Sequence, residues 1–368
     1  MKLTVNRSEF LRALGHASAI VEQRNTIPVL SSVLLETAGD ALRIVATDLN
    51  MQVALTVPAS IDGEGSTTVS ARLLHGIIRE FQDGSQVELS LDGDRLHVVS
   101  GRSRYKLQTI KRDDFPVVQR GEATAELTLP AKDFVLSLHR VAFAQDTDAI
   151  VRPHYCGVNV ETVDGEIVFV ATDGKRIAWS TLPAPEEVTL SSAILPTKLV
   201  STFNKLLADE EGDVRLTFED RKVTAEFGST VLTGKLVDGT YPPWRRILPK
   251  GEGKRLVVGA DVLEGAVRRA ALVASERTRA VKVELTTDKI TVSATTLGTG
   301  DAVEEAPAVW DDGEFAAGFN SRFLLDVLSV AGDGELHAEF FGEGSNLLAL
   351  LSNPDDASAK WLLAPMHV

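Results

Sequence analysis

The segment Val45-Ala46-Thr47-Asp48 returns as Val170-Ala171-Thr172-Asp173, and a weaker copy stands at Ser293-Ala294-Thr295-Thr296. The threonines are 125 and then 123 residues apart. That period is too long for a solenoid unit and suits a whole domain. A chain of 368 residues has room for three such domains.

Other markers keep the same period. A short strand pattern precedes a helical one in each unit: Leu3-Thr4-Val5 before residues 7–21, Leu127-Thr128-Leu129 before 132–145, and Leu256-Val257-Val258 before 261–275. Apolar residues at helical spacing, such as Leu11, Leu14 and Ile20, mark these helices. A second helical pattern follows at 71–81, 197–208 and 321–330. Between the helices the chain reads as strands, for example 33–36, 42–46, 86–91, 95–100 and 105–110. Asp92-Gly93-Asp94 and Asp164-Gly165 mark their turns. Polar, Pro- or Gly-bearing junctions at 113–125 and 248–253 divide the chain into domains 1–120, 121–250 and 251–368. The expected fold class is α+β: three similar domains, each of two helices packed on antiparallel sheets. The alternative is two unrelated α+β domains with a chance match.

Catalytic motifs are missing. Composition is that of a globular protein, 44% hydrophobic and 24% charged, which excludes wholesale disorder. No apolar run approaches a membrane span, the N-terminus has no signal-peptide core, and Cys156 is the only cysteine. A cytoplasmic protein is expected. The seven histidines form no zinc-like cluster, and no G-x-S-x-G elbow occurs. Gly174-Lys175 lacks the rest of a phosphate loop, since position 169 is Phe and position 176 is Arg. Asp48 and Asp173 occupy equivalent places in separate repeats, so they read as turn formers rather than a catalytic pair. No enzyme, cofactor or metal is expected.

The formal charge is −14, from 38 Lys+Arg against 52 Asp+Glu. That excess of acid opposes simple coating of nucleic acid. The six predicted helices nevertheless carry eleven basic and six acidic residues, a surplus of five, which leaves −19 for the rest. Basic helices on an acidic body suit phosphate contacts without base readout. Repeats and charge alone rank a protein whose helices collectively face a polyanion level with a protein-only adaptor scaffold.

Several segments then decide between them. Residues 170–176, 235–242 and 245–250, together with Gly318-Phe319-Asn320 and Ala364-Pro365-Met366, closely resemble the bacterial DNA polymerase III beta subunit family, the replication sliding clamps. The resemblance runs from Met1 to Val368. It implies a non-catalytic processivity factor with no cofactor. Two copies would assemble as a closed head-to-tail dimeric ring around double-stranded DNA. A specialised clamp copy outside bulk replication is the variant reading. Expected partners are duplex DNA without sequence preference, a second copy of the chain, and the replicative polymerase, clamp loader and repair proteins, which offer short peptides. No membrane is involved, and the protein would associate with the nucleoid.

By resemblance, Arg24, Arg72, Arg79, Arg152, His154, Lys198 and Lys205 face DNA. A partner-peptide pocket falls on Tyr155, Thr172, Gly174, Lys175, Arg176, Ile177, Pro242, Arg246, Ile247, Asn320, Phe323, Leu362, Ala364 and Met366. Ile177, Pro242, Ile247, Leu362 and Met366 are expected to form an apolar floor, with Arg176 and Arg246 as polar rim contacts. The subunit interface is expected to set Arg102, Arg104 and Lys106 of the first domain against Glu304 and Glu305 of the third, with Leu272 and Val273 in an apolar patch.

Overall fold

The computed structural model describes residues 1–21, 27–118, 121–185 and 188–367. Its α-helices are α1 (Arg7–Ile20), α2 (Ala71–Arg79), α3 (Ala131–Ala142), α4 (Thr197–Leu206), α5 (Ala260–Ala270) and α6 (Ser321–Leu328). Each begins within one residue of the start expected from periodicity. Each ends earlier, because the last residues of the pattern leave α geometry. After α5, for example, Leu272 N–H donates to Arg269 O and Val273 N–H to Ala270 O, three residues back.

The starts are set by caps. Asn6 accepts from the N–H groups of Ser8 and Glu9, Ser70 from Leu73, and Asn320 from Arg322. Phe10, Leu14 and Ile20 of α1 are buried, as are Leu74 and Ile78 of α2. Arg7 finishes α2: its Nε donates to Ile78 O at 3.1 Å and its Nη2 to Arg79 O at 2.6 Å, while Nη1 pairs with Asp83. These bonds satisfy carbonyls that a helix end leaves without partners.

Two compact units emerge, Met1–Phe134 with Ser201–Leu236, and Val135–Val200 with Val237–Val368. The division cuts through the middle repeat, within α3 and α4. The cause lies in the strand pairing, all of it antiparallel. In the first unit a twelve-stranded sheet runs Lys2–Asn6, Gln86–Asp92, Arg95–Ser100, Ser103–Ile110, Ser66–Ser70, Ser32–Ala38, Ala41–Thr47, Met51–Gly63, Thr230–Lys235, Lys222–Phe227, Asp213–Phe218, Ala125–Pro130. Its last four strands belong to the middle repeat. In the second unit the order is Ala193–Pro196, Gly157–Val163, Glu166–Thr172, Arg176–Pro183, Asp356–Leu363, Leu348–Asn353, Glu335–Phe341, Lys254–Gly259, Gly300–Trp310, Lys289–Thr296, Ala280–Thr286, Phe315–Asn320. Its first four strands are the middle repeat's other half.

The repeated tetrapeptide sits where a strand turns. Thr47 Oγ1 donates to Met51 O at 2.7 Å and accepts from Leu49 N–H, while Asp48 Oδ1 accepts from Asn50 and Met51 N–H. Thr172 and Asp173 repeat every one of these bonds, toward Arg176 O, Gly174, Lys175 and Arg176. Both aspartates are turn formers. Among the described residues no helix is long and apolar enough to cross a membrane.

Candidate partner pocket and nucleic-acid surface

The register of the second sheet places the pocket residues. Asn159 pairs with Val170 and Ile194, Glu161 with Val168, Val170 with Trp179, Thr172 with Ile177, and Ile177 with Leu362. Directly opposed residues share a face, so these side chains form one surface. Residues 237–248 cross it. Trp244 is the plug, buried against Val168, Val170, Ile177, Ile194, Tyr241 and Leu362, with its ring 5.5 Å from that of Trp179. Burial drives the Tyr241 phenol well above its ordinary range, so it stays a neutral part of this layer.

The C-terminal segment closes the neighbouring edge. Ala364 N–H donates to Lys175 O at 3.0 Å, and Met366 N–H to Gly318 O at 2.9 Å. These bonds bring the 172–177 turn, the 364–366 segment and the 318–323 segment side by side. Gly174, Lys175 and Arg246 are exposed there, with Tyr155, Pro242, Asn320, Phe323, Ala364 and Met366 half-buried. Gly174 has φ +85°, and a Cβ there would stand 3.2 Å from Arg152 Nη1. The turn therefore favours glycine on two counts.

Two expectations about the pocket need correction. Arg176 is no rim residue: its side chain is 8% exposed. Its Nε donates to Asp173 at 3.0 Å, Nη1 to Asp326 of α6 at 2.6 Å and Nη2 to Phe143 O at 2.6 Å. The guanidinium also lies 4.2 Å from the Phe323 ring centroid. Every nitrogen is used inside the fold, because a desolvated cation must be paired. Ile247 is not floor either. It ends a short 3₁₀ turn, Trp244–Ile247, and is 56% exposed. Ile177 and Leu362, also expected in the floor, are buried at 4% and 2% exposure and pack in one cluster with Trp244.

The residues expected to face DNA are in different states. Arg24 lies outside the described residues. Arg72, Lys198 and Lys205 are exposed on α2 and α4. Arg79 is exposed and meets Glu80 at 3.4 Å. Arg152 is held: Nη2 pairs with Asp146 at 2.6 Å, Nη1 donates to Asp173 O, and the guanidinium lies over Tyr155. His154 is half-buried against the Tyr155 ring. Other helix cations serve the fold as well. Arg7 staples α2, Arg140 pairs with Asp356, and Arg268 with Glu264. The surplus counted along the helices thus overstates the free charge.

The expected interface residues lie on half-open strands. Among the described residues, 103–108 of Ser103–Ile110 pair on one side only, with Arg95–Ser100. Among the described residues, 300–307 of Gly300–Trp310 pair only with Lys289–Thr296. Arg102, Arg104 and Lys106 are exposed. Glu304 and Glu305 already have partners, Arg269 at 2.8 Å and Lys289 at 2.5 Å. Leu272 is 81% exposed and Val273 half-buried.

Sequence reasoning missed Asp326 and Phe143, which hold Arg176, and Trp244, which carries the 237–248 segment. Only Trp244 left a signal, a lone large aromatic between Pro242-Pro243 and Arg245-Arg246.

Comparison with known proteins settles the family. Residues 1–119, 128–243 and 245–367 match the N-terminal, central and C-terminal domains of the DNA polymerase III beta subunit. The chain belongs to that family. The beta sliding clamp of Caulobacter vibrioides is 36% identical over 375 residues, covering all of both chains. That of Salmonella typhimurium is 34% identical over 331 residues, 90% of each. Among solved structures, the Caulobacter crescentus beta sliding clamp superposes with a TM-score of 0.94 at 34% identity, and the Pseudomonas aeruginosa DNA polymerase III subunit beta with 0.95 at 29%. Both cover the whole of both chains. As a member of that family it is a non-catalytic DNA sliding clamp for DNA polymerase III.

Proposed function

We propose that two copies of this beta subunit close head to tail into a ring around duplex DNA, and that the ring tethers polymerase, clamp loader and repair proteins through short peptides. One observation carries the reading. The strand after the first repeated turn, Met51–Gly63, pairs at 51–55 with Thr230–Lys235, the last strand of the second repeat. The strand after the second turn, Arg176–Pro183, pairs at 176–180 with Asp356–Leu363, the last strand of the third. Among the described residues the equivalent strand of the third repeat, Gly300–Trp310, has no such partner, and neither does Ser103–Ile110, the last strand of the first. A second copy supplies what each lacks. The charges agree, since Arg102, Arg104 and Lys106 would meet Asp301, Glu304 and Glu305. Exposed Tyr105, Leu272 and Val303 would be covered.

In this reading the domains are 1–120, 121–250 and 251–368. Arg24, Arg72, Arg79, Lys198 and Lys205, with the Arg152–His154 loop, make salt-sensitive phosphate contacts. Topological closure, rather than affinity, retains the DNA. The partner peptide seats against Ile177 and Leu362, between the 172–177 turn and the C-terminal segment. The protein works in the cytoplasm, on the nucleoid during replication.

The test is retention. The protein is placed on nicked circles by its loader and ATP, and half of the isolated complexes are cut to linear DNA. Loss from linear DNA with retention on circles is expected. Equal retention on both would mean ordinary surface binding and would return the adaptor reading.

A further inference from the structure

We propose that a hollow on the far flank of residues 240–246 is a second subsite, which takes an acidic side chain flanking the apolar anchors of the bound peptide. This rests on the peptide-pocket reading above. The segment 237–248 divides the sheet face in two. On one flank lie Thr172, Ile177 and Leu362. On the other lie Asn159, Glu161 and Ser192, beneath a hollow of about 420 Å³ whose remaining wall is the 240–246 segment. Pro242 and Arg246 line the hollow and are also expected at the anchor pocket, so an extended chain anchored over Ile177 would reach the hollow by crossing that ridge.

The chemistry of the hollow is that of an anion site. Glu161 is the one carboxylate in its lining, and Arg245 neutralises it at 2.5 Å while lying flat over the Trp244 ring. Arg246 is exposed and makes no ion pair among the described residues, which leaves one positive charge in excess. The hydroxyl of Ser192 donates to Asn159 Oδ1 at 2.6 Å, and Ser191 is exposed beside it. The Arg246 guanidinium and the exposed Ser191 hydroxyl, beside an apolar ridge, suit a carboxylate on a peptide that is otherwise apolar.

The experiment uses the full-length protein and fluorescein-labelled synthetic peptides bearing leucine and phenylalanine anchors, each flanked at one end or the other by Glu or by Ala. Fluorescence anisotropy reads affinity. The Glu form, at one end only, is expected to bind about three- to tenfold more tightly, with the advantage shrinking as salt rises. Ser191→Trp fills the hollow without touching the anchor flank. It should leave the Ala peptide unchanged and abolish the Glu advantage. Equal affinities of Glu and Ala peptides for the unmodified protein would overturn the subsite while leaving the anchor pocket standing. A Glu advantage that survives Ser191→Trp would place the carboxylate elsewhere and overturn it too. Failure of every peptide to bind would remove the anchor pocket and the subsite together.

Discussion

At the first repeat junction Thr47 and Asp48 close a turn, the strand from Met51 pairs with Thr230–Lys235, and Lys235 N–H donates to Asn50 O at 2.9 Å. At the second, Thr172 and Asp173 close the same turn, the strand from Arg176 pairs with Asp356–Leu363, and Ala364 N–H donates to Lys175 O at 3.0 Å. The backbones match bond for bond, and the side chains do not. Met51 stands where the second junction has Arg176, Gln52 where it has Ile177, and Leu49 where it has Gly174. Met51 is 2% exposed in an apolar setting. Gln52 spends its oxygen on Val118 N–H. Leu49 and Asn50 are exposed at the first junction as Gly174 and Lys175 are at the second, but at the second the turn stands beside the 318–323 and 364–366 segments. In the proposed reading a few side chains, with no change in strand pairing, turn a shared joint into a binding surface.

Exchanging the buried pair should have the largest effect. Arg176→Met leaves Asp326 and Asp173 without their cation and should cost about 3–5 kcal/mol. Met51→Arg buries a cation with no partner and should cost several kcal/mol too. Urea denaturation checks both. Near-neutral values would mean that the two junctions tolerate each other's chemistry, against the comparison. Arg176→Met should also weaken anchor peptides, because Phe323 and the 173–175 turn lose their common support.

A third junction of the same plan is the one proposed between copies. Reversing Arg102 and Arg104 to Glu should weaken dimerisation about ten- to hundredfold, since like charges would then face each other. Sedimentation velocity reads the shift. Adding Glu304→Lys and Glu305→Lys should restore only part of it, because those carboxylates also hold Arg269 and Lys289. An unchanged sedimentation profile for the first variant would remove this pairing from the comparison.

Backbone strain separates the first two junctions more gently. Leu49 sits at φ 75° and Gly174 at φ 85°. Leu49 is 42% exposed, so Leu49→Gly loses little burial and should stabilise by up to about 1 kcal/mol. Gly174→Leu should destabilise by about 1–2 kcal/mol, since a Cβ there meets Arg152. Thermal unfolding of the pair checks the sign, which should be opposite in the two.

What was legible follows from the range of the interactions involved. Helix starts were readable because apolar periodicity is local, and the caps that set them, such as Asn6 before Arg7 and Asn320 before Ser321, act over two or three residues. The repeat was readable because Thr and Asp close the first two turns with the same side-chain bonds. The two compact units were not, since they depend on Met51–Gly63 meeting Thr230–Lys235 across most of two repeats. Nor was the burial of Arg176. An arginine looks the same in sequence whether it faces a peptide or meets an aspartate 150 residues away. The hollow under residues 240–246 needed three separate segments to meet, and Trp244 alone pointed to it.

The smallest expected difference is in pH response. A groove at the first junction holds His16, flanked by Glu9 and Arg12 on α1 and by Lys205, Asp209 and Glu210 opposite. Burial, then the charges of Arg12 and Lys205, hold the His16 imidazole below its ordinary value near 6.5, against a weaker opposite pull from Asp209. The unfolded chain therefore binds the proton more readily. This contribution to stability is complete above about pH 6.5 and is lost as pH falls below it, through the lowered folded value. At the second junction, burial pushes the Asp356 carboxyl up, but hydrogen bonds from Ser358 and the charge of Arg140 outweigh it, leaving the group below its ordinary value of 3.8. Its contribution is complete above about pH 4 and is lost only in stronger acid. Between pH 6.5 and 4.5 the first junction should therefore loosen while the second holds. Amide hydrogen exchange across that range should show faster exchange in the segments around His16 and 227–230 than in 356–363. His16→Gln should flatten the difference. Equal acceleration in both segments, or a difference that survives His16→Gln, would mean that the two joints share one acid response and that the contrast between them is confined to side-chain packing.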